Sequence, residues 1–155
     1  MNLKERINPI NFFGGNCNIS DDNKFNYAIK LLRECIEGNT PIYVSDNIIT
    51  WNKNISFVRD GYFKSILDSE DVGFIEKSTI WRLYVLIYFA EACKKLDGDF
   101  LEVGCCSGST VERVSEKIDF NSLNKCYWLY DLFEWKQGDE HEHLPEHDNP
   151  RMYEN

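Results

Sequence analysis

The run from Asp99 to Asp131 constrains the fold more than any other part of this chain. "DFLEVG" (99–104) is a short apolar strand carrying one acid, Glu102. Two glycines spaced four apart follow, Gly104 and Gly108. Residues 109–118, "STVERVSEKI", then place Val111, Val114 and Ile118 at helical spacing. "KCYWLYD" (125–131) is a second apolar strand, ending on Asp131. Strand, glycine turn, helix, strand is the start of a β–α–β unit, which implies parallel strands joined by a right-handed crossover.

The turn itself has chemical content. Gly104 lets the chain leave the strand in a conformation that side chains with a β-carbon resist. Gly108 allows close approach at the first turn of the helix, where unpaired N–H groups and the helix dipole attract polar or anionic ligand groups. Asp131 lies close to the ~20-residue spacing at which nucleoside sites place an acid against the ribose hydroxyls. Phosphate cradles fit poorly. No lysine follows Gly108, and Cys106 and Ser109 interrupt the dinucleotide glycine pattern. Glu102 repels a pyrophosphate and suits a ligand with a cationic end, such as an amino group.

That combination resembles the class I S-adenosylmethionine-dependent methyltransferases. "LEVGCCSG" is similar to their first motif, E-x-G-x-x-x-G, and "YWLYDLFE" to their second strand with its ribose-binding acid. "GDFLEVG" followed by "YDLFE" is most like the macrocin O-methyltransferase-like branch, over roughly residues 76–135. Cys106 stands in place of the usual middle glycine, and Trp135 where the branch has glycine. The resemblance implies a three-layer Rossmann-like α/β fold, of which only the N-terminal part is here. It implies that Glu102 orients the methionine end of the cofactor. Gly104, Cys105, Cys106, Gly108, Ser109 and Thr110 form the cradle, Asp131 holds the ribose, and Leu132 and Phe133 lie near the adenine. The expected activity is O-methylation of a hydroxyl on a sugar or small metabolite. The branch's general base and its divalent-cation (magnesium) carboxylates belong to later strands, so the 155 residues read as a fragment.

The remainder divides into residues 1–75, a mostly helical extension, and 76–155, the start of the methyltransferase domain. Ser20, Asp21 and Asp22 offer caps for a helix with Phe25, Ala28, Ile29, Leu32 and Ile36 on one stripe and Gly38 as its stop. "TPIYVSDNIITW" has short β-prone pieces in a turn-rich context. "RDGYFKSILDSE" suggests a short helix with Phe63, Ile66 and Leu67 inward. Glu76 to Leu96 predicts one helix, capped near Ser78 and apolar enough all round to be buried. Residues 132–155 read as a polar loop. It holds all three histidines, His141, His143 and His147, which with Asp139 or Asp148 form the alternative reading of a metal site.

A formal charge of −9 and a pI near 4.8 argue against a general nucleic-acid binder. The most apolar stretch, Leu83–Ala90, is far shorter than the ~18 residues of a membrane span. The first residues, "MNLKERINPINFF", lack the apolar core of a secretory signal. Six cysteines without a CxxC pair read as reduced, mostly buried thiols of a cytoplasmic protein. The expected partners are a small-molecule acceptor and, through an open sheet edge, a second copy of the chain. Two other functions stay open: a non-catalytic nucleoside-binding or interaction module, and a nicotinamide-dependent oxidoreductase, which the broken glycine pattern disfavours.

Overall fold

The computed structural model describes residues 10–131 and is mixed α/β. The chain divides into two compact units between Tyr84 and Val85.

In the first unit, β1 (Asn11–Phe13) runs parallel to β2 (Ile42–Ser45), and β2 pairs antiparallel with β3 (Ile48–Trp51). α1 (Asp22–Cys35) connects the parallel pair. The segment expected to be mostly helical therefore contains a sheet. β1 is three residues long, too short to show a period. β2 is buried at every position, so its apolar run lacks the alternation that marks a half-exposed strand. Asp46 and Asn47, at φ 54 and 56°, make the two-residue hairpin turn, a left-handed pair that Asp and Asn tolerate.

Asp21 caps α1 by accepting from the Lys24 N–H. Phe25, Ile29, Leu32 and Ile36 are half-buried as their spacing predicts, whereas Ala28 is exposed. The core of this unit is aromatic. Tyr43 stacks on Phe12 at 5.1 Å and meets the edge of Trp81 at 4.9 Å. Phe57, in the 3-10 turn Ser56–Arg59, stacks on Tyr84 at 4.4 Å. α2 (Gly61–Asp68) adds Phe63 and Ile66, both buried.

The single helix expected over 76–96 is two helices, α3 (Phe74–Ser78) and α4 (Ile80–Cys93). Ser78 and Thr79 cause the break. Their hydroxyls bond back to the carbonyls of Ile75 (2.7 Å) and Glu76 (3.1 Å), and the Ser78 carbonyl accepts from Ser45 Oγ at 2.7 Å. Local side-chain bonds of this kind compete with the helical ladder. Nor is α4 buried all round. Ile80, Leu83, Ile87 and Ala90 are buried, while Leu86, Tyr88 and Phe89 are exposed.

In the second unit, β4 (Phe100–Val103) and β5 (Tyr127–Tyr130) are parallel, with Phe100 opposite Tyr127 and Val103 opposite Tyr130. α5 (Ser109–Lys117) and the short α6 (Phe120–Leu123) connect them. Val114 and Ile118 are buried and Val111 half-buried, as the helical spacing requires. The opposite face of the strands is open: Leu101, Val103, Trp128 and Tyr130 are 53–77% exposed. The thiols are free, but only Cys105 is buried and Cys93 partly so; Cys17, Cys35, Cys106 and Cys126 are exposed. The expectation of mostly buried thiols fails because four of the six sit in a loop, at helix and strand ends or at the glycine turn. Among the described residues no helix is long and apolar enough to cross a membrane.

Candidate functional site

The glycine turn sits at the carboxyl ends of the two parallel strands. Gly104 has φ 79°, Cys106 49° and Gly108 81°, three left-handed residues within five. Gly104 donates its N–H to Tyr130 O at 2.8 Å, which finishes the β4–β5 ladder, and Gly108 closes the turn by donating to Cys105 O at 2.9 Å. Gly108 is also the N-cap of α5, and no side chain caps that helix. Its first-turn N–H groups lack helical acceptors by construction.

Space separates this turn from the Gly14–Gly15 turn, though not from Gly38, Gly61, Gly73 and Gly98, which are as open. A β-carbon on Gly14 would lie 2.3 Å from Ser45 Oγ, and one on Gly15 would lie 2.2 Å from the Phe74 ring. That turn, which follows β1, is filled by its own protein. A β-carbon on Gly104 meets nothing within 4 Å, and one on Gly108 touches only Val111 at 3.6 Å. The turn after β4 has room above it.

Asp131 lies at the end of β5, half-buried, and its Oδ2 accepts from the Cys106 N–H at 2.6 Å. The acid expected to face a ribose thus also holds the apex of the turn. Cys105 points inward and is buried. Burial, and then the Asp131 carboxylate, push its thiol above the ordinary range, so it stays protonated and is a poor nucleophile. Cys106 is exposed. Glu102 is half-buried and accepts from the Tyr127 hydroxyl at 2.7 Å. The structure therefore brings Glu102, Gly104, Cys105, Cys106, Gly108, Ser109, Thr110 and Asp131 to one end of the sheet. Leu132, Phe133, Trp135 and the His141, His143 and His147 cluster lie outside the described residues.

Sequence reasoning missed two residues. Tyr127 shares a sheet face with Glu102, a signal present in the alternation of β4 and β5. Asp99 clamps the far end of the sheet, accepting from the Cys126 N–H at 3.0 Å and from Trp128 Nε1 at 2.8 Å. At that far end lies a cavity of about 350 Å³, lined largely by Leu86, Phe89, Ala90, Cys93, Leu101 and Val114. It is largely apolar, and Tyr127, whose hydroxyl reaches Glu102, also lines it. Among the described residues no group of His, Cys, Asp and Glu is arranged to hold a metal ion. No protein-family model, curated protein or solved structure matches this chain.

Proposed function

We propose that the chain binds S-adenosylmethionine at the glycine turn, as the N-terminal part of a Rossmann-like methyltransferase domain. The observation that carries this reading is the open left-handed turn from Gly104 to Gly108, tied to Asp131 through the Cys106 N–H at 2.6 Å. A nucleoside needs such an arrangement: backbone that comes close, unpaired N–H groups, and an acid within reach of two vicinal hydroxyls. Those residues fit the group. Glu102 beneath the turn matches the α-ammonium of the methionine end, and the same charge disfavours the pyrophosphate of a dinucleotide.

When bound, the cofactor supplies a methyl group on a sulfonium, open to in-line attack by an acceptor oxygen. The residues of this chain hold that methyl in place, and positioning is the main contribution asked of them. The acceptor we propose is a hydroxyl of a sugar or small metabolite. The general base and any magnesium carboxylates belong to segments other than residues 10–131. A cytoplasmic location accords with six free thiols.

Calorimetry tests the reading. The chain should bind S-adenosylmethionine or S-adenosylhomocysteine and ignore NAD. Asp131→Ala should cost about 1–3 kcal/mol of that binding, through loss of a charged acceptor. Binding of NAD with no response to either sulfur nucleoside would overturn it. The exposed face of Leu101, Val103, Trp128 and Tyr130 favours a second reading, an interaction module, which predicts no nucleoside binding at all.

A further inference from the structure

We propose that Tyr127 is the positioning residue that aims Glu102 at the cationic end of the ligand; this rests on the cofactor reading above. β4 and β5 run in register with Phe100 opposite Tyr127 and Glu102 opposite Leu129. In a pleated sheet these alternate positions project to one face, so Tyr127 lies one step behind Glu102 on the neighbouring strand. Its ring is held by Phe120, 5.1 Å away, and by Phe100, 6.0 Å away. That packing fixes where the hydroxyl points, and it donates to Glu102 Oε2 at 2.7 Å.

The consequence is geometric. An unrestrained glutamate samples several rotamers, and ordering it on binding costs free energy. A carboxylate with one oxygen already fixed by a rigid phenol presents Oε1 in one direction. The bond also satisfies part of a half-buried carboxylate before any ligand arrives. Burial, and next the bond to Glu102, push the phenol well above its ordinary range. It therefore stays a donor across the working pH range.

Two ligands separate this role from simple packing. S-adenosylhomocysteine carries the α-ammonium, and 5′-methylthioadenosine keeps the adenosine but lacks the amino-acid end. Calorimetry of the 155-residue chain should show a preference for the first. Tyr127→Phe keeps the ring packed, so folding, checked by thermal melting, should survive. It should weaken S-adenosylhomocysteine about three- to tenfold, the value of one hydrogen bond, and leave 5′-methylthioadenosine unchanged. Glu102→Gln should remove the same preference, and Tyr127→Phe added to it should do nothing further. An undiminished preference in Tyr127→Phe overturns the inference and leaves the cofactor reading standing. Equal losses for both ligands mean that the hydroxyl only supports the fold, and overturn it too. If the unaltered chain binds neither ligand, both the cofactor reading and this inference fall.

Discussion

Cys106 carries a β-carbon at φ 49°, between two glycines at 79 and 81°. A left-handed residue with a β-carbon costs roughly 1–2 kcal/mol, while glycine's extra freedom in the unfolded chain costs about 0.4–1 kcal/mol. The two nearly offset each other. Cys106→Gly should therefore gain at most about 1.5 kcal/mol, and by the same balance Gly104→Ala should lose at most about 1.5 kcal/mol despite the empty space around it. Denaturant midpoints measure both, and a clear gain for Gly104→Ala would show that the turn has relaxed away from the left-handed region. Tyr43 offers the opposite test. It is fully buried, and among the described residues no partner meets its hydroxyl at hydrogen-bond geometry. Ser45 Oγ donates to the Ser78 and Gly15 carbonyls and keeps lone pairs that a small shift could offer to the phenol. Removing an unsatisfied buried group relieves its desolvation cost of about 1–3 kcal/mol. Tyr43→Phe should melt at the same or a higher temperature, and a clear loss would mean the hydroxyl is bonded after all.

At the scale of elements, Asp99 decides how the second sheet responds to acid. The Cys126 N–H, then the Trp128 indole and the Lys125 charge, hold its carboxyl below the ordinary value. A carboxyl lowered on folding adds stability that is present above its unfolded value, about 3.9, and lost as the pH falls through the lower folded value. Thermal melts from pH 6 to pH 3 should fall more steeply for the native chain than for Asp99→Asn, and parallel curves would rule the clamp out. How legible such elements were depended on their period. β4, α5 and β5 were readable because apolar positions, two glycines and a terminal acid agreed over a short span. β1 was not, at three residues, and fully buried β2 showed no alternation. The break at Thr79 follows from two hydroxyls and a contact from Ser45, 33 residues away, which no local pattern records. Asp131 was legible as the acid that ends the second strand, but its bond to Cys106 became visible only once the turn closed.

At the scale of the molecule, the decisive feature is the open side of the second sheet. Parallel strands are normally covered on both faces, yet Leu101, Val103, Trp128 and Tyr130 stand 53–77% exposed on one of them. Among the described residues β4 pairs with β5 alone. The N–H groups of Phe100 and Gly104 bond to Cys126 O and Tyr130 O, so strand alternation turns those of Leu101 and Val103 toward the unpaired edge. Four such side chains leave about 400 Å² of apolar surface, within the range of the largest patches on monomers. Two copies meeting there bury about 800 Å² in all, roughly 20 kcal/mol by area, against association costs of about 4–15 kcal/mol before side-chain ordering and polar desolvation. That area stays below the roughly 1,200 Å² of stable interfaces. The balance points to weak, concentration-dependent self-association rather than an obligate dimer. Sedimentation velocity should show the average mass rising with concentration. Val103→Asp should suppress that rise, and so should Val103→Pro, which deletes an edge N–H and spares the β5 ladder. Val103 is 77% exposed, so Val103→Asp should shift stability by no more than about 0.5 kcal/mol. A chain that stays monomeric at high concentration, or variants that associate as strongly as the native protein, would show that this face and edge are not where copies meet.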